Sequence, residues 1–291
     1  EKETGLSVLG YVPKVVDCVI ESRHLGLVLP DEIPQLRERL QKLAKILEDT
    51  LEIDEILKLA ADAPEVQAAE PQISFHLEKP VRIGVAEDEA FCFYYKDNFR
   101  FLKSMGAELV TFSPMRDAHL PENLNGLIFG GGYPELNAKE LEANMSMREE
   151  VHRVLNDGMP CLAECGGFMY LHDEMEAMDG SSYHMAGVIP GKAYRTQKLN
   201  RFGYVTLTQK KEVFGMNDMG GIPAHEFHYF DSENCGDDFD AKKPASHRKW
   251  NCIHGTDTMM AGFPHLYFYG NPKVPEAFLR KCSRYGCQDA G

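Results

Sequence analysis

Between residues 81 and 163, short apolar runs alternate with longer stretches whose apolar positions recur every three or four residues. Val81-Arg-Ile-Gly-Val-Ala86 reads as a buried strand and residues 93–105 as a helix. Glu108-Leu-Val-Thr-Phe112 and Leu127-Ile-Phe129 read as further strands, and a helix over 137–157 leads into the strand Pro160-Cys-Leu-Ala163. Runs apolar throughout belong to strands covered on both faces, and strand–helix alternation builds such strands into a mostly parallel sheet. Beyond this the pattern is richer in strands (183–188, 202–209, 224–229 and 258–261) and closes on a helix near 275–284.

Upstream the pattern is different. Leu6-Ser-Val-Leu-Gly10 is strand-like, and a helix is expected from about Pro34 with Asp31 as its cap. Ile33, Leu36, Leu40, Leu43 and Leu47 give that helix one apolar face, and Leu51, Ile53, Ile56 and Leu57 suggest a second, shorter helix. Pro64, Pro71 and Pro80, set among Ala, Glu and Gln, mark a linker. The expected organisation is therefore a short piece over 1–61, a linker over 62–79 and an α/β domain over 80–291. The first piece is too small to make a stable core alone.

Charge and cysteine content narrow the function. The 291 residues carry 31 Lys+Arg against 45 Asp+Glu, a net charge of −14, which argues against nonspecific nucleic-acid binding. No run approaches 18 apolar residues, so no membrane-spanning helix is expected. The start, Glu1-Lys-Glu-Thr-Gly5, has no apolar signal region and no initiating Met, as expected of a trimmed fragment. Eight cysteines are too sparse for a disulfide scaffold and are expected as reduced thiols of a cytoplasmic protein.

Three stretches could carry chemistry. In Pro160-Cys-Leu-Ala-Glu-Cys165-Gly-Gly-Phe-Met-Tyr-Leu171 a short strand runs into Cys165 and a helix follows at once. This is the layout of a nucleophile elbow, whose small neighbours (Ala163, Gly167) permit a sharp turn and whose helix N-terminus favours thiolate. A buried structural cysteine such as Cys161 would fit the same spacing. In Phe129-Gly-Gly-Gly-Tyr-Pro-Glu135 the glycines could present backbone N–H groups to an oxyanion, together with Gly166, or form only a turn. His265, in Gly262-Phe-Pro-His-Leu-Tyr-Phe268, is one of 11 histidines and lies late in the chain, where parallel-sheet hydrolases place their base. His225 and His228 could be read as metal ligands but have no third partner in sequence, so no metal is expected.

Phe91-Cys-Phe-Tyr-Tyr-Lys-Asp-Asn98, Phe129–Glu135, Ala163-Glu-Cys-Gly-Gly167 and His225-Glu-Phe-His-Tyr229, with Ser22-Arg-His-Leu-Gly-Leu27 upstream, resemble the cobyrinic acid a,c-diamide synthase family in kind and order. The resemblance spans about residues 5–285. It implies a flavodoxin-like class I glutamine amidotransferase domain, preceded over residues 1–61 by the remnant of a P-loop synthetase domain. By that resemblance Cys165 is the nucleophile and His265 its base, while Gly131, Gly132 and Gly166 hold the oxyanion. Tyr133, Glu164, His225, Glu226 and His228 would face substrate. Glutamine supplies ammonia, and ATP with Mg activates the a and c acetates of a corrinoid in cobalamin synthesis. A nickel-sirohydrochlorin a,c-diamide synthase has similar motifs, and a catalytically silent binding module is the reading from another class.

The sequence departs from the wider pattern twice. Ordinary class I amidotransferases carry a Glu two residues after the histidine; here that position is Tyr267, so a Cys–His dyad is expected, as in the narrower family. No G-x-x-x-x-G-K-[ST] stretch is present; the nearest, Gly187-Val-Ile-Pro-Gly-Lys192, is one residue short and reads as a turn. The chain is therefore expected to hold no cofactor itself and to need a synthetase domain as partner. A homodimer is compatible with this reading.

Overall fold

The computed structural model describes residues 3–285, except residues 21, 24, 25, 29, 69–72, 74 and 200. The chain divides into two compact units, Glu1–Glu70 and Pro71–Gly291. His24 and Leu25 of the upstream motif, part of the linker, and Cys287 lie outside the described residues.

In the first unit a two-stranded hairpin, β1 (Ser22–Arg23) and β2 (Gly26–Leu27), precedes helices α1 (Leu36–Thr50) and α2 (Ile53–Ala61). The run Leu6–Gly10 makes no strand: only Gly10 pairs, in a single bridge to Leu51. Asp31 falls in a 3-10 turn, Pro30–Glu32, and the helix starts later than its sequence suggests, with Gln35 in the left-handed region at its N-cap. Neither helix buries a residue fully.

The second unit is built on a six-stranded sheet ordered β15-β16-β6-β5-β3-β4. Its strands are β3 (Val81–Ala86), β4 (Ala107–Phe112), β5 (Gly126–Phe129), β6 (Cys161–Glu164), β15 (His254–Gly255) and β16 (Met259–Gly262). All neighbours pair in parallel except β15, which runs antiparallel to β16. Taken in chain order, the five parallel strands lie 2-1-3-4-5 across the sheet, the flavodoxin-like order, with the switch point between β3 and β5. Side chains alternate between two cores. Leu127, Phe129, Cys161 and Ala163 enter one with Phe112, Val151 and Phe168; Ile83, Val85, Ile128 and Leu162 enter the other with Phe101, Leu102 and Phe278. With both faces covered, the inner strands are apolar along most of their length, and this makes them conspicuous in sequence.

Helix α3 (Lys96–Ser104) forms as expected. The long helix expected over 137–157 is two, α4 (Ala138–Ala143) and α5 (Met145–Asn156), broken where Asn144 leaves helical geometry and spends its side-chain amide on the carbonyls of Pro114 and Asp117. After β6 come the short α6 (Gly166–Tyr170) and a mixed sheet of β7 (His172–Glu176), β8 (Ser182–His184), β9 (Ile189–Arg195) and β12 (Phe230–Ser232). A further antiparallel sheet contains β10 (Arg201–Gln209), β11 (Ile222–His228), β13 (Phe239–Lys242), β14 (Lys249–Cys252) and β17 (His265–Leu266), and α7 (Lys273–Tyr285) ends the described chain. The Gly187–Lys192 stretch is not wholly a turn: Gly187 turns at φ 66°, and Ile189 onward runs as strand β9. Among the described residues no helix is long and apolar enough to cross a membrane.

One buried group in β7 makes stability pH-dependent. His172 is fully enclosed: its Nδ1–H donates to the Phe168 carbonyl (2.9 Å), and its Nε2 accepts from the Ser232 hydroxyl (2.6 Å). Burial disfavours the imidazolium and lowers its pKa from 6.5 to about 4. The unfolded chain therefore gains a proton near pH 6.5 that the native state refuses, so stability falls as pH drops from 6.5 toward 4. The loss is at most about 1.4 kcal/mol per pH unit. Urea unfolding at pH 7 and pH 4.5 is expected to show a smaller acid loss in His172→Gln than in the native chain.

Candidate active site

The carboxyl ends of β3, β5, β6 and β16 converge on one edge of the central sheet, and the loops leaving them carry every residue of the site. Parallel α/β sheets place their ligands at this edge. From β6 the chain turns sharply into α6 through Cys165, whose φ of 48° and ψ of −104° lie outside the regions L-residues favour. Such a conformation costs on the order of 1–3 kcal/mol and persists only where its surroundings enforce it. Here the Cys165 N–H donates to the Gly262 carbonyl (2.8 Å), the Gly167 N–H to the Gly130 carbonyl (2.9 Å), and the Met169 N–H to the Cys165 carbonyl (3.0 Å). Any side chain at Gly167 would run into the Phe129 backbone, so the turn requires a glycine there.

Parallel pairing of β16 with β6 sets Gly262 beside Glu164, so the chain leaving β16 passes the elbow and delivers His265 to Cys165. The two side chains share a hydrogen bond. Burial alone would lower the His265 pKa. The Cys165 sulfur, by charge and by hydrogen bond, and then Glu164 outweigh burial and push it up to about 10. The imidazole is thereby held as imidazolium beside the Cys165 sulfur. Helix α6 has only five residues, too few for the macrodipole the sequence suggested; the positive partner of Cys165 is His265. Cys161 and Cys282, in contrast, are wholly enclosed in apolar surroundings that raise both thiols far above their ordinary range.

The glycine loop after β5 is pinned by the Phe91–Tyr95 stretch. Cys92 and Phe93 donate their N–H groups to the Gly131 carbonyl (3.0 and 2.9 Å), and the Gly130 N–H donates to the Tyr94 hydroxyl (2.9 Å), which also bonds the Ala86 carbonyl. Gly131 lies under the imidazole: a Cβ there would stand 2.6 Å from His265 Cε1. The Gly132 nitrogen lies 3.2 Å from where a Cβ on Gly166 would stand, so the glycine loop packs against the residue that follows Cys165. Gly166 opens α6, and its N–H has no acceptor within the helix.

The remaining expected site residues separate. Glu164 faces the imidazole, with Oε2 3.5 Å from His265 Nδ1. His225 pairs in register with His265 across β11 and β17; burial, then His265 and Lys243, lower its pKa. Tyr133, Glu226 and His228 do not face an open site. Tyr133 is buried edge-to-face against Phe93, and strand alternation turns Glu226 and His228 into the core, 3.7 Å apart, with His228 stacked on Phe263. A spacing of three in a strand likewise puts His225 and His228 on opposite faces, where they cannot share an ion. No group of three His, Cys, Asp or Glu side chains converges as metal ligands among the described residues. Tyr267 is 42% exposed and sends its hydroxyl to Asp97 (3.5 Å) and its ring edge to Tyr95.

Sequence reasoning missed Asn98, which is buried, donates to the Leu266 carbonyl (2.8 Å) and accepts the Phe268 N–H (2.9 Å), clamping the chain just beyond His265. Its only signal was its place at the end of the Phe91–Asn98 stretch.

Residues 82–272 match the CobB/CobQ-like glutamine amidotransferase domain. The chain belongs to that family. It is 37% identical over 290 residues to the cobyrinate a,c-diamide synthase of Caldanaerobacter subterraneus subsp. tengcongensis, covering 98% of this chain and 63% of that protein. It is 39% identical over 272 residues to that of Clostridium acetobutylicum, covering 91% and 60%. The chain thus spans somewhat over three fifths of the length of these relatives. Among solved structures, PurLQS from Thermotoga maritima superposes with a TM-score of 0.48 at 14% identity, covering 71% of this chain and 99% of that one.

Proposed function

We propose that this amidotransferase domain hydrolyses glutamine at Cys165 and supplies the ammonia to a synthetase that amidates the a and c acetates of a corrinoid. The observation that carries the reading is the strained elbow that holds Cys165 against the His265 imidazolium beside the glycine loop. The Cys165 thiolate adds to the side-chain amide carbon of glutamine, and the carbonyl electrons move onto oxygen, where the N–H groups of Gly132 and Gly166 receive the oxyanion. His265 gives its proton to the amide nitrogen, the C–N bond breaks, and ammonia leaves a thioester on Cys165. Water then attacks the thioester with His265 taking its proton, glutamate departs, and the thiolate–imidazolium pair is restored. The corrinoid acceptor follows from the relatives' names and from no geometry in this chain. ATP and Mg belong to the same reading, but the residues here do not fit a phosphate site, since Ile189–Lys192 is strand and no P-loop stretch is present. None of the seven described cysteines is in a disulfide, which suits a cytoplasmic setting.

A diazo-ketone analogue of glutamine tests the reading, because it alkylates only a nucleophile in a working glutamine site. Mass spectrometry is expected to find the adduct on Cys165, with competition by glutamine. Labelling elsewhere, or labelling that glutamine does not slow, would overturn the reading.

A further inference from the structure

The two side chains flanking the imidazole have unequal parts in the mechanism above: Cys165 reacts, and Glu164 is given nothing to do. We propose that Glu164 is the positioning residue for His265, a carboxylate supplied by the position before the nucleophile in place of the one that Tyr267 does not provide. The inference rests on the reading of Cys165 and His265 as nucleophile and base.

Glu164 ends β6, and strand alternation puts its side chain on the opposite face from Ala163, toward β17. Both carboxylate oxygens are engaged there. Oε1 accepts the Leu266 N–H (3.3 Å), which fixes the main chain directly after the histidine, and Oε2 faces His265 Nδ1 at 3.5 Å. The register of β6 with β16 enforces this approach, pairing Glu164 with Gly262 three residues before His265. The two side chains are only 15% and 13% exposed, so water screens the pair weakly. A carboxylate at Nδ1 keeps a proton on that nitrogen and leaves the other one for the thiol, as an orienting acid does in hydrolytic triads. Tyr267, directed to Asp97 and Tyr95, cannot do this. The Cys–His dyad expected from sequence is then a triad whose third member adjoins its first.

The test is the pH profile of Cys165 alkylation by iodoacetamide, followed on the Cys165 peptide in the full chain. Glu164→Gln is expected to move the profile upward by about one pH unit, since the imidazolium that stabilises the thiolate loses its counter-charge. It should also lower kcat for glutamine hydrolysis by about 10- to 100-fold with KM little changed, and Glu164→Asp should recover part of both. A Glu164→Gln profile superimposable on the native one overturns the proposal. Should Glu164→Gln not fold, the tautomer of neutral His265 in Cys165→Ser, read by 15N NMR, gives the answer. A proton on Nδ1 supports the proposal, and one on Nε2 overturns it. Alkylation does not require glutamine turnover, so a chain that releases no ammonia still reports on Glu164, while the glutamine analogue reports separately on the function.

Discussion

Cys165→Ala is expected to lower ammonia release from glutamine by about 10^4-fold or more while leaving the thermal unfolding temperature nearly unchanged. Loss of a nucleophile removes the covalent route altogether, and what the backbone donors and substrate positioning achieve without it is a small residue of the rate. Stability should survive because the strain at the elbow is backbone strain. Alanine at a φ of 48° carries the same Cβ as cysteine, and the bonds that hold the turn come from main-chain N–H groups of Cys165, Gly167 and Met169. Loss of the sulfur also removes the strongest support of the imidazolium, so the His265 pKa should fall from its present value of about 10. Ammonia release assays, calorimetry and a histidine NMR titration check the three parts. Undiminished ammonia release by Cys165→Ala would mean that the elbow is not the reacting centre.

The second large effect is expected at a residue with no reactive atom. Gly131→Ala would place a methyl group 2.6 Å from His265 Cε1, well inside contact distance, while the backbone of Gly131 is not among those with positive φ. The fold can therefore accept alanine, and the imidazole must give way. It has little room to do so, with Cys165 on one side and Glu164 on the other. Displacement by about 1 Å is enough to cost on the order of 10^2-fold in rate. Hydrolysis should fall by about that factor, mainly in kcat, as steady-state ammonia release would show. A Gly131→Ala protein that unfolds early would show instead that the loop's tight packing dominates. One that retains full activity would show that the ring is free to move.

The elements of the central sheet were readable because they are local in the relevant sense. A strand covered on both faces is apolar along most of its length, and β3, β5 and β6 begin and end within a residue or so of their apolar runs. In the surrounding β-structure the expected strands over 202–209 and 224–229 form as β10 and β11, and the one over 183–188 shortens to β8, while β7, β12 and β17 were not foreseen. Strands β7, β12 and β17 are short and carry buried polar or chemically committed side chains such as His172, Ser232 and His265, which break the alternation that would have marked them. The split between α4 and α5 was missed because no Gly or Pro interrupts residues 138–156, and the side-chain amide of Asn144 finds its acceptors only in the tertiary structure.

The site shows the same division. A strand, a cysteine flanked by small residues and a helix, together with a glycine run and a late histidine, are visible as residue types in order, since an elbow is a short-range object that admits few side chains. Which residues meet was decided by strand order and register. Glu164 and His265 stand 101 residues apart in sequence and meet because β6 pairs with β16, and His225 is opposite His265 because β11 pairs with β17. The facing of each strand then separates Glu164, which reaches the imidazole, and His225, which pairs with His265 in register, from Glu226 and His228, which strand alternation turns into the core. Residue types and their order follow from the chain alone. The protonation state of His265 depends on partners brought together from distant segments, because charge interactions act through space and only folding sets those distances.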